Sequence, residues 1–174
     1  LNIIFPFVFK LNVGGEGESV FLIKNEGDLK RSLKRAAEAE KIGIQGLLFQ
    51  EYIPHDGKCL RITVIGDQFL CYWRIQKKTD VFYVNMQHGA QIEHDLGSAY
   101  AQKATSLLKD FCLSTGINMA GFDCLFRKDD PMPLFLEINY FFGRQGLGGS
   151  FKFYELFEKA VERWLVNIGL SIKE

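Results

Sequence analysis

Three side chains with oxygen ligands, Asp123, Glu137 and Asn139, have the types and spacing of a cation site. They lie on two strand-like runs joined by a polar break, and a symmetric hairpin sets Asp123 opposite Glu137 and Phe126 opposite Leu134. Side chains alternate along a strand, so Asn139 shares a face with Glu137. Opposed carboxylates repel each other unless a cation lies between them, and Mg²⁺ is usually held by one or two carboxylates plus substrate phosphates. The trio predicts a magnesium site, with a solvated outer face of the hairpin as the alternative.

A lysine that runs into a glycine-rich turn forms a second candidate site. Glycine lets backbone amides approach phosphate oxygens closely, and a lysine adds a mobile positive charge. No G-K-[ST] precedes a helix, so this is not a Walker loop. An ordinary turn is the alternative, and Glu16 and Glu18 disfavour a bare phosphate unless magnesium or lysine offsets them. The candidate phosphate-binding residues are Lys10, Gly14, Gly15, Gly17 and Ser19.

The segment Glu51-Tyr52-Ile53 leaves a predicted strand in an extended conformation that Pro54 imposes on the residue before it. Extended backbone can present its N–H and C=O groups to the edge of a purine. A strand that simply ends at Pro54 is the alternative.

Four further polar residues could bind an anionic substrate: Arg61, Arg74, Asn85 and Arg144. Arginine suits planar recognition of carboxylates and phosphates. As isolated residues they are more often surface charges, but the glycines around Arg144 favour a loop that faces a ligand.

The composition excludes several classes of protein. Lys plus Arg and Asp plus Glu number 21 each among 174 residues, which argues against general binding to nucleic acids or membrane surfaces. No run approaches the ~20 apolar residues of a membrane span. The four cysteines lie far apart without a C-x-x-C pair, so we expect a reduced, cytoplasmic protein. The chain starts almost inside a strand without Met, and we expect it to be a piece of a longer protein.

Apolar periodicity and turn residues predict an α+β fold with antiparallel pairing. We expect Asp28 to cap the first helix and the strand from residue 47 to be buried. We expect the last helix to bury Tyr154, Phe157, Val161, Trp164 and Leu165. Strands are predicted at residues 7–10, 19–23, 47–53, 60–65, 69–75, 121–126 and 135–140, and helices at 28–41, 98–115 and 151–167.

In this order, the segments resemble the ATP-grasp superfamily of carboxylate–amine ligases, in the branch of glutathione-synthetase-like and ribosomal-protein glutamate ligase enzymes. The resemblance extends from Phe5 to about Leu165. It rests on F-P-F-V-F-K with G-G-E-G-E-S-V, then Q-E-Y-I, L-R-I-T-V-I-G, G-F-D and L-E-I-N.

The resemblance implies two α+β lobes that clasp a nucleotide, a small one at residues 1–50 and a large one at 51–174, after a preceding domain that this chain lacks. It implies ATP and Mg²⁺, with Mn²⁺ as the alternative ion. Lys10 and the glycine-rich turn are expected at the phosphates, and Glu51 to Ile53, including Tyr52, at the adenine. The remaining implied roles are metal ligation by Asp123, Glu137 and Asn139, and contact with the acceptor by Arg74, Asn85 and Arg144.

The implied reaction activates a carboxylate as an acyl phosphate that an amine attacks, so the expected partners are a small-molecule or peptide carboxylate and an amine. We expect no nucleic acid or membrane partner and leave a homo-oligomer open. Three departures from the family pattern stand out, at Ser19, at Cys59 and at Phe141-Phe142. Two alternatives stay open: a small-molecule kinase on the same fold, and a non-catalytic nucleotide-binding module, which the departures at Cys59 and Phe141-Phe142 favour.

Overall fold

The computed structural model describes residues 4–15, 17–94 and 98–170 of the chain. These residues form two separate antiparallel sheets and three α-helices, so the prediction of an α+β fold is confirmed. Glu16, one of the two glutamates of the glycine-rich turn, lies outside the described residues.

The first sheet has three strands in the order β2-β1-β3. Phenylalanine rings form its core, where Phe7, Phe9 and Ile23 are buried and Leu29 of the first helix packs against them. The elements are β1 (Phe7–Leu11), β2 (Val20–Ile23), the helix α1 (Glu26–Lys41) and β3 (Leu47–Glu51).

The second sheet has five strands in the order β6-β5-β4-β7-β8. Its strands are β4 (Lys58–Ile65), β5 (Gln68–Ile75), β6 (Gln91–Glu93), β7 (Met119–Phe126) and β8 (Pro133–Asn139). Two helices, α2 (Ala99–Thr115) and α3 (Ser150–Asn167), complete the fold, and a short 3-10 turn (Gln145–Leu147) precedes α3.

Strand alternation divides the second sheet into two faces. Leu60, Ile62 and Val64 of β4 are fully buried in a cluster with Leu108 of α2. Arg61, between two of them, is buried on the opposite face. One face therefore forms the core with α2, and the other carries buried polar groups.

The hairpin of β7 and β8 confirms one predicted pairing and corrects the other. Asp123 pairs with Glu137, as predicted, but Phe126 pairs with Pro133 and not with Leu134. A bulge between Asp123 and Cys124 shifts the register by one residue, which sequence symmetry cannot reveal.

Two predictions about helix α1 and strand β3 were wrong. The N-cap of α1 is Asn25, whose side chain accepts from the Asp28 backbone N–H, while Asp28 lies in the first turn. Strand β3 is not buried, because Leu47, Leu48 and Phe49 are 43–54% exposed at the edge of the first sheet. The three-residue strand β6 was not predicted.

The predicted buried face of α3 was also wrong. Tyr154 and Trp164 are each 56% exposed, whereas Phe153 is buried with Leu147 and Tyr72. The apolar residues of this helix form a band wider than the part that meets the core, where Leu156 and Ala160 pack with Phe153, so periodicity does not select which edge of the band is buried. Packing of Phe153 against the preceding turn selects it instead.

None of the helices in the described ranges has the length and apolar character needed to cross a bilayer.

Candidate functional site

A cavity of about 520 Å³ lies between the two sheets. Val8 and Lys10 of β1 line it from the first sheet, and Arg61, Arg74 and Asp123 line it from the second. Both sheets therefore contribute polar side chains to one cleft, which is the usual form of a small-molecule site.

The predicted phosphate-binding residues all line this cavity: Lys10, Gly14, Gly15, Gly17 and Ser19. Gly14 and Gly17 have φ angles of 80° and 88°, a left-handed region that favours glycine. The Ser19 hydroxyl donates to the carbonyl of Val13 and closes the turn internally. The hairpin thus places a lysine and flexible backbone at the same wall of the cavity.

The predicted adenine-binding residues Glu51, Tyr52 and Ile53 also line the cavity, where the chain passes from the first sheet to the second. Ile53 is buried, and Leu125 and Leu136 add apolar surface from β7 and β8. These residues can hold a flat apolar group between the sheets.

The Glu51 carboxylate forms an ion pair with Arg127, a residue outside the cavity lining. It accepts a forked pair of bonds from Arg127, at 3.1 and 3.0 Å. These hydrogen bonds, and then the charge of Arg127, lower the pKa of Glu51. Glu51 is therefore ionised near neutral pH, and its backbone remains the part that can recognise a base.

The structure brings Asp123, Glu137 and Asn139 together on the cavity wall. Asp123 lies opposite Glu137, and the Asn139 amide donates to Glu137 at 3.0 Å and approaches Asp123 at 3.4 Å. We call these three side chains the acidic face. Within the described ranges, no three His, Cys, Asp or Glu residues form a metal-binding group. An ion here would depend on two carboxylates, one amide and substrate oxygens, a donor set that fits Mg²⁺.

Two arginines cover the Asp123 carboxylate. Arg61 Nε and Nη2 lie 2.5 and 2.7 Å from its two oxygens, and Arg74 Nη1 lies 3.3 and 3.4 Å from the same atoms. Burial lowers the pKa of Arg61, but the hydrogen bonds and charge of Asp123 outweigh it, so the net shift is upward. Arg61 is therefore charged, and it forms a buried ion pair with a predicted metal ligand.

Of the residues predicted to contact the acceptor, Arg74 and Asn85 line the cavity and Arg144 does not. The Arg144 guanidinium lies over the rings of Phe153 and Tyr154, 4.3 and 4.9 Å from their centroids. Its neighbours in the glycine-rich turn, Gly143 and Gln145, do line the cavity. A role for Arg144 at the acceptor stays a prediction.

The loop at residues 79–90 closes one side of the cavity. The Tyr83 hydroxyl donates to the carbonyl of Val20 at 2.5 Å, and the Tyr83 ring stacks on His88. The Gln76 amide donates to the carbonyl of His88 at 2.7 Å and so holds the end of the loop. A loop of the large sheet is therefore bonded directly to the glycine-rich hairpin of the small one.

Cys59, one of the departures from the family pattern, also lines the cavity. Burial, followed by the charge of Asp123, raises the pKa of this thiol. Cys59 is thus a neutral side chain and supplies no negative charge to the site.

Tyr83 and His55 are cavity residues that sequence reasoning did not name, and it named Arg61 only as a candidate anion-binding residue. Strand alternation shows that Arg61 is polar between apolar neighbours, but only the pairing of β4 with β7 brings it to Asp123. No local pattern marks Tyr83 or His55 individually.

Comparison with known proteins agrees with the resemblance seen in the sequence. A curated relative is the uncharacterized MG012 homolog of Mycoplasma pneumoniae, 28% identical over 138 residues, which are 78% of this chain and 43% of that protein. D-alanine–D-alanine ligase from Bacillus anthracis superposes with a TM-score of 0.64 at 14% identity, over 95% of this chain and 57% of that one.

An ATP-grasp RimK domain protein from Sphaerobacter thermophilus superposes with a TM-score of 0.61 at 17% identity, over 90% of this chain and 53% of that one. At such identities the two structures show the fold. This chain spans about half the length of these relatives. Residues 1–152 match the model of the RimK-like ATP-grasp domain, and the chain therefore belongs to the RimK-like ATP-grasp family.

Proposed function

We propose that this chain is the nucleotide-binding part of an ATP- and Mg²⁺-dependent ligase that activates a carboxylate as an acyl phosphate for attack by an amine. One observation carries the proposal. The cavity has Lys10 and the glycine-rich hairpin on one wall and the acidic face on the other. Spread phosphate charge needs cations and amides already in place, and this arrangement provides both around one space.

The residues divide the work along the cavity. The backbone of Glu51 to Ile53 binds the base, Lys10 and the hairpin amides bind phosphates, and the acidic face holds Mg²⁺. The ion supplies charge neutralisation for the phosphates. Arg74, which contacts Asp123, and Asn85, which lies beside Gly17 of the hairpin, orient the acceptor carboxylate. Positioning of this kind supplies most of the rate enhancement in phosphoryl transfer.

The proposed lobes follow the two sheets, with a small lobe at residues 1–50 and a large lobe at 51–174. A small-molecule or peptide carboxylate and an amine are the proposed substrates. Several similar solved structures are named as ligases or synthetases, among them a carboxyaminoimidazole synthetase from Staphylococcus aureus with ADP. Their identities lie below 20%, so they support the fold and leave the substrates to experiment.

Calorimetric titration of the full-length protein with MgATP tests the nucleotide site. Lys10→Met removes a charge-assisted hydrogen bond of about 1.5–3 kcal/mol, so we expect roughly 10- to 100-fold weaker binding. Glu137→Gln should weaken binding in Mg²⁺ but not in EDTA. Glu158→Gln, on the exposed side of α3, is the matched control and should bind like the wild type.

Phosphate release then separates the candidate functions. A ligase releases phosphate from ATP only when a suitable carboxylate and amine are both present. Formation of ADP without release of phosphate would instead indicate the kinase, and tight MgATP binding with neither product would indicate the non-catalytic module. Equal binding by wild type, Lys10→Met and Glu137→Gln would refute the proposed site.

A further inference from the structure

Both oxygens of Asp123 accept hydrogen bonds from arginine side chains. Arg61 takes one bond to each oxygen, at 2.5 and 2.7 Å, and Arg74 adds a longer contact to each, at 3.3 and 3.4 Å. A carboxylate has about four acceptor positions. The two guanidinium groups share these positions with the Asn139 amide, at 3.4 Å.

Strand pairing and burial fix the Arg61 side chain beside Asp123 on the acidic face. Its Cα pairs directly with that of Asp123 across β4 and β7, and the two side chains are 5% and 8% exposed. Gly121, two residues before Asp123, leaves room for the guanidinium. A Cβ there would lie 2.5 Å from Arg61 Nη1 and 3.2 Å from Phe142 Cβ. The absence of a side chain at 121 is therefore what lets Arg61 lie flat beside Asp123.

Arg61 and a divalent ion compete for the same carboxylate. A cation at Asp123 must meet a fixed positive charge within hydrogen-bond distance of the oxygen it needs. Moving Arg61 away strands a buried guanidinium without a partner, which is strongly unfavourable. The cost falls only if another anion accepts the guanidinium, and a phosphate matches its fork as well as a carboxylate does.

We propose that Arg61 is a positioning residue that keeps Asp123 closed to metal until a nucleotide phosphate takes over its guanidinium. Metal and nucleotide then bind together, and the metal alone binds weakly. The release of Arg61 by a nucleotide phosphate rests on the proposed function. The competition between Arg61 and free metal does not, because it involves only Arg61, Asp123 and the ion.

Binding of Mn²⁺ alone to the nucleotide-free, full-length protein tests the competition, with free Mn²⁺ measured by electron paramagnetic resonance. Arg61→Met removes the forked donor and keeps an unbranched apolar stem. We expect its affinity for Mn²⁺ to exceed that of the wild type by roughly 5- to 150-fold, the usual range of coupling between sites. Arg74→Met removes only the longer contacts, so its gain should be smaller. Equal Mn²⁺ affinity in wild type and Arg61→Met would overturn the proposal.

A second measurement covers the case in which Arg61→Met fails to fold. In NMR spectra of the wild type, the Nε–H resonance of Arg61 can be assigned because it is lost in Arg61→Lys. We expect Mg²⁺ alone to leave this signal unchanged, and Mg²⁺ with a non-hydrolysable ATP analogue to shift it. A shift with Mg²⁺ alone would overturn the proposal that Arg61 keeps Asp123 closed to metal until a nucleotide binds.

Failure of the proposed function has a different signature. If the wild type binds no nucleotide, the ATP analogue causes no shift. The proposed function and the proposed release of Arg61 by a nucleotide phosphate are then both refuted. The Mn²⁺ series still decides whether Arg61 closes Asp123, because no nucleotide enters that experiment.

Discussion

Gly121 leaves the space in which the Arg61 guanidinium lies. A methyl group at this position would approach Arg61 Nη1 to 2.5 Å, inside the distance at which atoms overlap. Gly121→Ala should therefore displace Arg61 from Asp123 and destabilise the protein by about 1–3 kcal/mol, the usual cost of overpacking. Urea unfolding followed by circular dichroism measures the change.

Gly143→Ala is the matched control, because a Cβ at Gly143 meets nothing within 4 Å. We expect it to unfold within about 0.5 kcal/mol of the wild type, as surface substitutions usually do. If both variants unfold at the same urea concentration, Arg61 adapts without cost and the close fit has no energetic role.

The Cys59 thiol should be chemically inert in the folded protein. Burial is the main reason why its pKa is raised, so the nucleophilic thiolate is scarce at pH 8. We expect iodoacetamide at this pH to leave Cys59 unmodified in the native protein and to alkylate it in urea, with peptide mass spectrometry as the measurement. Alkylation at the same rate in both conditions would show that the cavity wall opens at Cys59.

Single residues differ in how far the sequence predicts their place in the site. Asp123, Glu137 and Asn139 lie within one hairpin, so strand alternation alone brings them together. Arg61 is 62 residues from Asp123, and the two meet only because β4 lies between β5 and β7. A pairing of strands that distant in sequence leaves no local pattern.

The hydrogen bond from Tyr83, in the loop at residues 79–90, to Val20 of the glycine-rich hairpin can be removed by a single substitution. Tyr83→Phe keeps the ring stacked on His88 but deletes the donor to Val20. A typical hydrogen bond contributes about 1 kcal/mol, so amide exchange in the hairpin should accelerate roughly fivefold. Hydrogen exchange with mass spectrometry on peptides covering residues 12–23 measures it.

Tyr100→Phe serves as the control for this change. Tyr100 lies on α2, where its ring packs edge-on against Phe126, away from the cavity. Its loss of a hydroxyl should leave exchange in the hairpin unchanged. Similar acceleration in both variants would mean that exchange reports general loosening and not the Tyr83 contact.

The elements themselves follow local rules to different degrees. Helix α2 matches its predicted bounds because Ser98 caps its start and Gly116 takes the left-handed conformation at its end. The exposed edge of β3 and the buried side of α3 depend on which neighbours the fold supplies. The buried clusters of the two sheets supply that information, and the local sequence does not.

At the scale of the whole molecule, the short connection at residues 52–57 decides how the two sheets face each other. The rings of Tyr52, His55 and Phe82 pack together at this connection, with centroids 5.9–6.3 Å apart. Gly57 has a φ of 69°, and a Cβ there would lie 2.4 Å from the Gln76 carbonyl oxygen. The resemblance to a family predicts two lobes, whereas this packing between distant segments had to be seen in the structure.

His55 makes this connection sensitive to pH. Burial is the main reason why the pKa of His55 is lowered, although the charge of Asp56 acts in the opposite direction. The neutral ring accepts a bond from the Gly57 backbone N–H at Nδ1, 3.2 Å away, and a protonated ring cannot. When the pKa of a base is lower in the folded than in the unfolded protein, its contribution to the free energy of unfolding is fully present above the unfolded-state pKa, near 6.5 for histidine. This stability is lost as the pH falls through the unfolded and then the folded value.

We therefore expect the free energy of unfolding to fall more steeply between pH 7.5 and 5 in the wild type than in His55→Gln. Glutamine keeps a polar side chain of similar length but binds no proton in this range. Urea unfolding at a series of pH values gives the two curves, and proton NMR of the His55 ring gives its own titration. Parallel curves would show that protonation of His55 is not coupled to folding. A ring that titrates at or above the ordinary histidine value would show that the connection between the sheets is more open than its packing indicates.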